Sequence, residues 1–339
     1  MIRLLIASGS APTREVLAEA VAVDPGIEIL GTASTGSEAV AMTKRLRPSL
    51  VVMDVRTHGI DAFEATKQIM TEAPTPIVIV SDELDAREVE ISLHALRAGA
   101  LSVVQKPERR HSRSFTEASR QLLGTIKAMA GVKLVRRWPE RPQWDPRASR
   151  ARRRIVAIAA STGGPAALHK IVSELPADFA LPIVVVQHIT VGFVGGLAAW
   201  LDLASGPKVK MAEHGEVLLP GAVYIAADDR HIGVSAGPRA MLSNAPPIGG
   251  FRPSATFLFD SVGRVFGAAA VCVVLTGMGR DGAGGLRAVR NGGGVIIAQD
   301  EQSSVVFGMP AAAIAAGLTD AVLPLAEIAP RLVELSLHD

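Results

Sequence analysis

The feature that most constrains the fold is a rhythm of short, wholly apolar runs, each followed by a segment of helical period. In the first part the runs fall at 4–7, 28–33, 50–54, 77–80 and 101–104. The helix-period segments fall at 12–23, 36–45, 62–73 and 86–98, with a last one over about 115–129. Runs that are apolar throughout, rather than alternating, describe strands buried on both faces, as in parallel sheets sandwiched by helices. Five such units predict one doubly wound, flavodoxin-like domain over 1–130. The rhythm restarts with apolar runs at 155–160, 183–187, 270–275 and 294–298. Helical segments follow at 165–174, 193–203, 256–266, 282–290 and 309–316, while turn-rich stretches at 216–221 and 228–230 flank short strands at 222–226 and 231–235. A second, mostly parallel α/β domain with an antiparallel excursion is expected over 155–339. The chain's 339 residues, 48% of them apolar and only 4% aromatic, suffice for two Val-, Ile- and Ala-rich cores without staples.

Between the domains, 131–154 carries Pro139, Pro142 and Pro146 among clustered arginines and has no apolar period. A basic run of this kind can bind nucleic acid, but no aromatic stacking pattern or recognition-helix motif accompanies it. It reads as a solvated, self-repelling connector, with no nucleic-acid partner. The single cysteine, Cys272, excludes a disulfide framework and fits a reducing cytosol, and inside an apolar run it reads as a small buried residue. The apolar stretch at the N-terminus is too short for a signal peptide, and nothing approaches the roughly 20 apolar residues of a membrane span. A cytoplasmic protein without membrane insertion is the expectation.

Three strand ends carry chemistry. The first apolar run of the second domain ends in Ser161-Thr162-Gly163-Gly164-Pro165, so that Ser161 lies at the C-terminal edge of the sheet before a proline-initiated helix. This segment alone fits a nucleophile facing oxyanion-stabilising amides, a phosphate cradle, or a serine that merely caps a helix. The next run ends in Gln187-His188, where a lone histidine is either structural or a general base. The third ends in Thr276-Gly277-Met278-Gly279-Arg280-Asp281-Gly282, where Asp281 is either a turn residue or a carboxylate that orients the base. Singly each has a bland reading. Together, Ser161, His188 and Asp281 at one sheet edge form the set a serine esterase requires. Their chain order differs from that of the α/β-hydrolases, in which the histidine comes last.

These segments, with Gly221-Ala222-Val223-Tyr224-Ile225-Ala226, Arg252-Pro253-Ser254, Ala298-Gln299-Asp300-Glu301 and Phe307-Gly308-Met309-Pro310, resemble the chemotaxis protein-glutamate methylesterases (the CheB family) across essentially all of 155–339. The resemblance implies hydrolysis of glutamate γ-methyl esters on the cytoplasmic part of chemoreceptors, with deamidation of receptor glutamines as a second activity. It implies Ser161 as nucleophile, His188 as base, Asp281 as its orienter, and the backbone N–H groups of Met278 and Thr162 as the oxyanion hole, with no cofactor for catalysis. Ala159, Thr190 and Phe251 depart from the family, standing where it has glycine, proline and histidine.

The first domain resembles the receiver that regulates this family, and so implies a chemosensory histidine kinase or another regulator as partner. Asp54 matches the phosphoacceptor, Ser81 the pocket hydroxyl and Lys106 the pocket lysine. The acidic pair that holds Mg²⁺ is replaced by Ser8 and Gly9, Arg56 replaces an acidic neighbour, and Val103 stands in place of a switch aromatic. Phosphoryl transfer needs a divalent cation, and one carboxylate beside an arginine is a poor Mg²⁺ site. Residues 1–130 therefore read as a degenerate receiver without Mg²⁺, acting as a cover, dimerisation surface or docking module. Two rival readings are a nucleotide-binding oxidoreductase and a catalytically silent receptor-binding scaffold. The first lacks a G-x-G-x-x-G motif, and the complete triad argues against the second.

Overall fold

The computed structural model describes residues 1–81, 86–107, 113–131 and 153–337. The chain divides into two compact units, Met1–Val135 and Arg136–Asp339.

The first unit runs β1 (Ile2–Ala7), α1 (Ala11–Ala22), β2 (Ile27–Ala33), α2 (Gly36–Leu46), β3 (Leu50–Asp54), α3 (Ala62–Glu72), β4 (Ile77–Ser81), α4 (Ala86–Ala98), β5 (Ser102–Gln105) and α5 (Arg113–Met129). All strand pairs are parallel, in the order β2-β1-β3-β4-β5. Every residue of β3 and β4 is buried, which explains their unbroken apolar runs. Thr35 caps α2 and Asp61 caps α3, each accepting from the N–H three residues on. The chain leaves β1 toward β2, then returns to β3 on the other side of β1. The ends of β1 and β3 are thus the switch point where a doubly wound sheet opens a crevice, and Ser8 and Asp54 stand there.

The second unit runs β6 (Ile155–Ala160), α6 (Gly164–Glu174), β7 (Ile183–Gln187), α7 (Val194–Ala204), β8 (Lys208–Met211), β9 (Ala222–Ile225), β10 (His231–Ser235), β11 (Arg239–Ser243), α8 (Ala255–Phe266), β12 (Ala270–Val274), α9 (Ala283–Asn291), β13 (Val295–Gln299), α10 (Met309–Ala315), β14 (Ala321–Leu323) and α11 (Leu325–Leu337). Seven strands form one sheet in the order β14-β13-β12-β6-β7-β9-β8, and every pairing is parallel. The antiparallel excursion is a separate hairpin of β10 and β11. Ile155, Ala157 and Ala159 of β6 share a core with α8 and α9, and the alternate residues turn to the other face. From β6 the chain moves to β7, then to β8 at the edge and back to β9 between β7 and β8, and later returns to β12 on the opposite flank of β6. The switch point of this unit therefore lies at the ends of β6 and β12.

Four elements differ from the sequence expectation. β8 alternates Lys208 and Lys210 with apolar residues at the sheet edge, β11 is a short hairpin strand, β14 has three residues, and α11 carries Pro330 inside a helix. The connector expected at 131–154 lies almost wholly outside the described residues, but Arg153 within it is not solvated. Arg153 is buried and donates to the Ala268 carbonyl, while Arg154 places its guanidinium over the Phe266 ring. Cys272 is buried in β12, and burial pushes its thiol well above the ordinary range, so it is no nucleophile. Among the described residues no helix is long and apolar enough to cross a membrane.

Candidate active site

β6 ends at Ala160, and the Ser161 N–H crosses to the Thr276 carbonyl at 3.0 Å, which fixes the serine over the β6–β12 switch point. The turn into α6 is closed by the Gly164 N–H on the Ser161 carbonyl at 2.8 Å. Gly163 takes φ 78°, a left-handed conformation that glycine adopts without steric cost. Gly277 is required for a different reason: a Cβ there would stand 2.8 Å from Ser161 Cβ and 2.6 Å from Met309 Sδ. Thr276 ties the arrangement together, since its hydroxyl donates to the Thr162 carbonyl at 2.9 Å and accepts from the Val306 N–H at 2.9 Å.

His188 follows β7, the neighbour of β6, and its Nε2 lies 3.1 Å from Asp281 Oδ2. Asp281 is buried, and its carboxylate is saturated. Oδ1 accepts from the Ser254 hydroxyl at 2.8 Å, the Thr256 hydroxyl at 2.7 Å and the Gly282 N–H at 2.8 Å. Oδ2 also accepts from the Ala255 N–H at 2.6 Å. Ser254, Ala255 and Thr256 open α8, whose positive dipole end faces the carboxylate. Burial is the largest single influence and would raise the carboxyl group, but the bonds from His188, Thr256 and Ala255 outweigh it and hold Asp281 well below the usual carboxylate range. Nδ1, the other ring nitrogen, is buried with no hydrogen-bond partner. Ser161 Oγ likewise has no partner among the described residues, so the serine and histidine are adjacent in the sheet without a bond between their side chains.

Gln187 supplies the link between them. Its Nε2 donates to the Ser161 carbonyl and to the His188 carbonyl, each at 2.8 Å. Among the described residues, neither the Thr162 nor the Met278 backbone N–H donates to a protein acceptor, which leaves two amides beside Ser161 available to an oxyanion. Phe251 stacks on His188 with ring centroids 4.3 Å apart and planes inclined by 11°. Gln187, Ser254, Thr256 and Phe251 were not assigned roles by sequence reasoning. The signal for Gln187 was its place at the end of the strand that carries the histidine, and for Ser254 and Thr256 their place opening a helix. Among the described residues no cluster of three or more His, Cys, Asp or Glu could hold a metal ion.

In the first unit Asp54 is fully buried at the end of β3. Its Oδ2 accepts the Ser8 hydroxyl at 2.6 Å, and its Oδ1 meets Lys106 Nζ at 3.0 Å and the Arg56 N–H at 3.2 Å. Arg56 thus meets Asp54 through its backbone N–H, and the residue is exposed. Ser81 is buried at the end of β4, beside β3. Gly9 backs onto the Arg56 carbonyl and the His58 ring: a Cβ there would stand 2.9 Å from the carbonyl oxygen.

Residues 156–332 match the CheB methylesterase family, and residues 4–113 match the response regulator receiver domain. A protein-glutamate methylesterase/protein-glutamine glutaminase of Myxococcus xanthus is 52% identical, with 98% of this chain and 96% of that protein aligned. One from Anaeromyxobacter dehalogenans is 49% identical over 98% of both chains. Among solved structures, the Thermotoga maritima CheB methylesterase catalytic domain superposes with a TM-score of 0.53 at 44% identity, covering 54% of this chain and 98% of that domain.

Proposed function

The chain belongs to the CheB methylesterase family, with a receiver domain ahead of the catalytic one, and on that premise we propose that Ser161, His188 and Asp281 hydrolyse glutamate γ-methyl esters on the cytoplasmic part of a chemoreceptor. The observation that carries the reading is the 3.1 Å contact of His188 with Asp281 at the strand end next to Ser161, with Nδ1 left unpartnered. Asp281 accepts the Nε2–H and so fixes the tautomer whose Nδ1 lone pair can take a proton. Ser161 Oγ attacks the ester carbonyl and its proton passes to His188 Nδ1. The negative charge that forms on the carbonyl oxygen is met by the Thr162 and Met278 N–H groups. His188 returns the proton to the leaving methoxide, methanol departs, and an acyl-enzyme remains on Ser161. Water, deprotonated by His188, then releases the glutamate carboxylate. A glutamine side chain would follow the same course with ammonia leaving, which is deamidation. The chain supplies nucleophile, base and oxyanion donors, so this chemistry calls for no cofactor. Trapping Ser161 with a fluorophosphonate probe and mapping the labelled peptide tests the assignment.

The receiver pocket does not fit Mg²⁺. The ion wants about six oxygens in an octahedron, whereas the Asp54 carboxylate is engaged by an ammonium and a hydroxyl, and the positions of the acidic pair hold Ser8 and Gly9. We propose that Asp54 is a structural partner of Lys106 and that the domain works without Mg²⁺-dependent phosphorylation. The regulator that reads it, a histidine kinase or another cytoplasmic protein, would do so by docking.

A further inference from the structure

The hydrogen bond to Asp281 does not by itself hold the His188 ring in place. An imidazole tied at one nitrogen can still roll about that bond, since the terminal torsion of histidine is broad. Rolling would swing Nδ1 away from the nucleophile. The ring that opposes this is Phe251, stacked face to face on the imidazole at 4.3 Å.

Phe251 is itself held from both sides. Before it, Ile248 and Phe251 exchange two backbone hydrogen bonds of 3.1 Å around Gly249 and Gly250, at φ 60° and 88°, the tight turn that two left-handed residues allow. After it, Arg252 grips Asp229 with two bonds of 2.7 Å, from Nε and Nη2 to the two carboxylate oxygens. Two residues further on, Ser254 begins the group that holds Asp281. One stretch of chain, 248–256, thus contacts the base through a ring and its carboxylate through hydrogen bonds.

We propose that Phe251 is a positioning residue for the esterase: it keeps the His188 ring in the plane that presents Nδ1 to Ser161, and the Arg252–Asp229 pair sets where Phe251 lies. The aromatic face also suits the positive charge that His188 acquires as the serine loses its proton. This inference rests on the Ser161–His188–Asp281 reading.

The test compares Phe251→Leu, Phe251→Tyr, Asp229→Asn and Ser161→Ala in the full chain. Methanol release from a γ-methyl-glutamyl protein substrate gives kcat and KM, and the rate of fluorophosphonate inactivation reads serine activation without that substrate. Misplacing a catalytic group by about an ångström costs on the order of a hundredfold. Phe251→Leu should therefore lower kcat and the inactivation rate together by about tenfold or more, with KM changed less than about twofold. Phe251→Tyr, which keeps the ring, should recover most of both. Asp229 is exposed and has φ 51°, which asparagine tolerates, so Asp229→Asn leaves the core untouched and should lower kcat several-fold in the same direction. Phe251→Leu within twofold of wild type, Phe251→Tyr as slow as Phe251→Leu, or Asp229→Asn unchanged in kcat would overturn the proposal while an inactive Ser161→Ala left the triad standing. Should Phe251→Leu not fold, Asp229→Asn decides. An active Ser161→Ala would remove the premise itself.

Discussion

His188 meets Asp281 through Nε2, at 3.1 Å, and turns a buried, unpartnered Nδ1 away from it. A carboxylate that accepts at Nε2 selects the tautomer protonated there. In ¹⁵N NMR of the neutral protein, His188 is expected to show a protonated Nε2 and a bare Nδ1. The opposite tautomer would mean that the base acts through the other nitrogen and that this contact is reorganised before catalysis.

Asp281 should matter to both activity and acid stability. Asp281→Asn is expected to fold and to lose on the order of 10⁴ in kcat, because the amide can hold the wrong tautomer. The folded carboxyl group lies below its unfolded value of about 3.9, so its stabilisation is fully present above that pH and is lost as pH falls through the lower folded value. Denaturant midpoints measured downward from pH 6 should therefore fall more steeply in wild type than in Asp281→Asn. Equal acid slopes would show that the carboxylate is not held by these bonds.

Gln187→Leu removes the donor shared by the Ser161 and His188 carbonyls. The strands stay paired, but the two residues lose their common anchor. We expect kcat to drop by roughly ten- to a hundredfold with little change in KM. A large rise in KM at constant kcat would place Gln187 in substrate binding instead.

Much of this was legible in the chain. The unbroken apolar runs of β3, β4, β6 and β7 announced parallel strands because burial on both faces leaves no polar alternation to read. Ser161, His188 and Asp281 stood out because each follows such a run. β8 escaped because an edge strand exposes one face and takes lysines there, and α11 because Pro330 breaks the usual pattern. The roles of Gln187 and Phe251 depend on which strand ends are neighbours and on a loop that returns from residue 251 to residue 188. Neither is a local property of sequence.

For the receiver, the pairing of Asp54 with Ser8 and Lys106 predicts that small phosphodonors with Mg²⁺ neither label the protein nor raise its esterase activity. Mg²⁺-dependent labelling that disappears in Asp54→Ala, with several-fold activation of wild type, would show that the pocket still accepts a phosphoryl group.

The most direct test of the central claim is methanol release from a methylated chemoreceptor by wild type and by Ser161→Ala, with folding checked by thermal melting. Because triad members act as a unit, the variant should remain folded and lose roughly 10⁴–10⁶ in kcat. A folded Ser161→Ala protein that retains more than about a tenth of the wild-type rate would contradict the account, since a triad lacking its nucleophile cannot sustain that turnover.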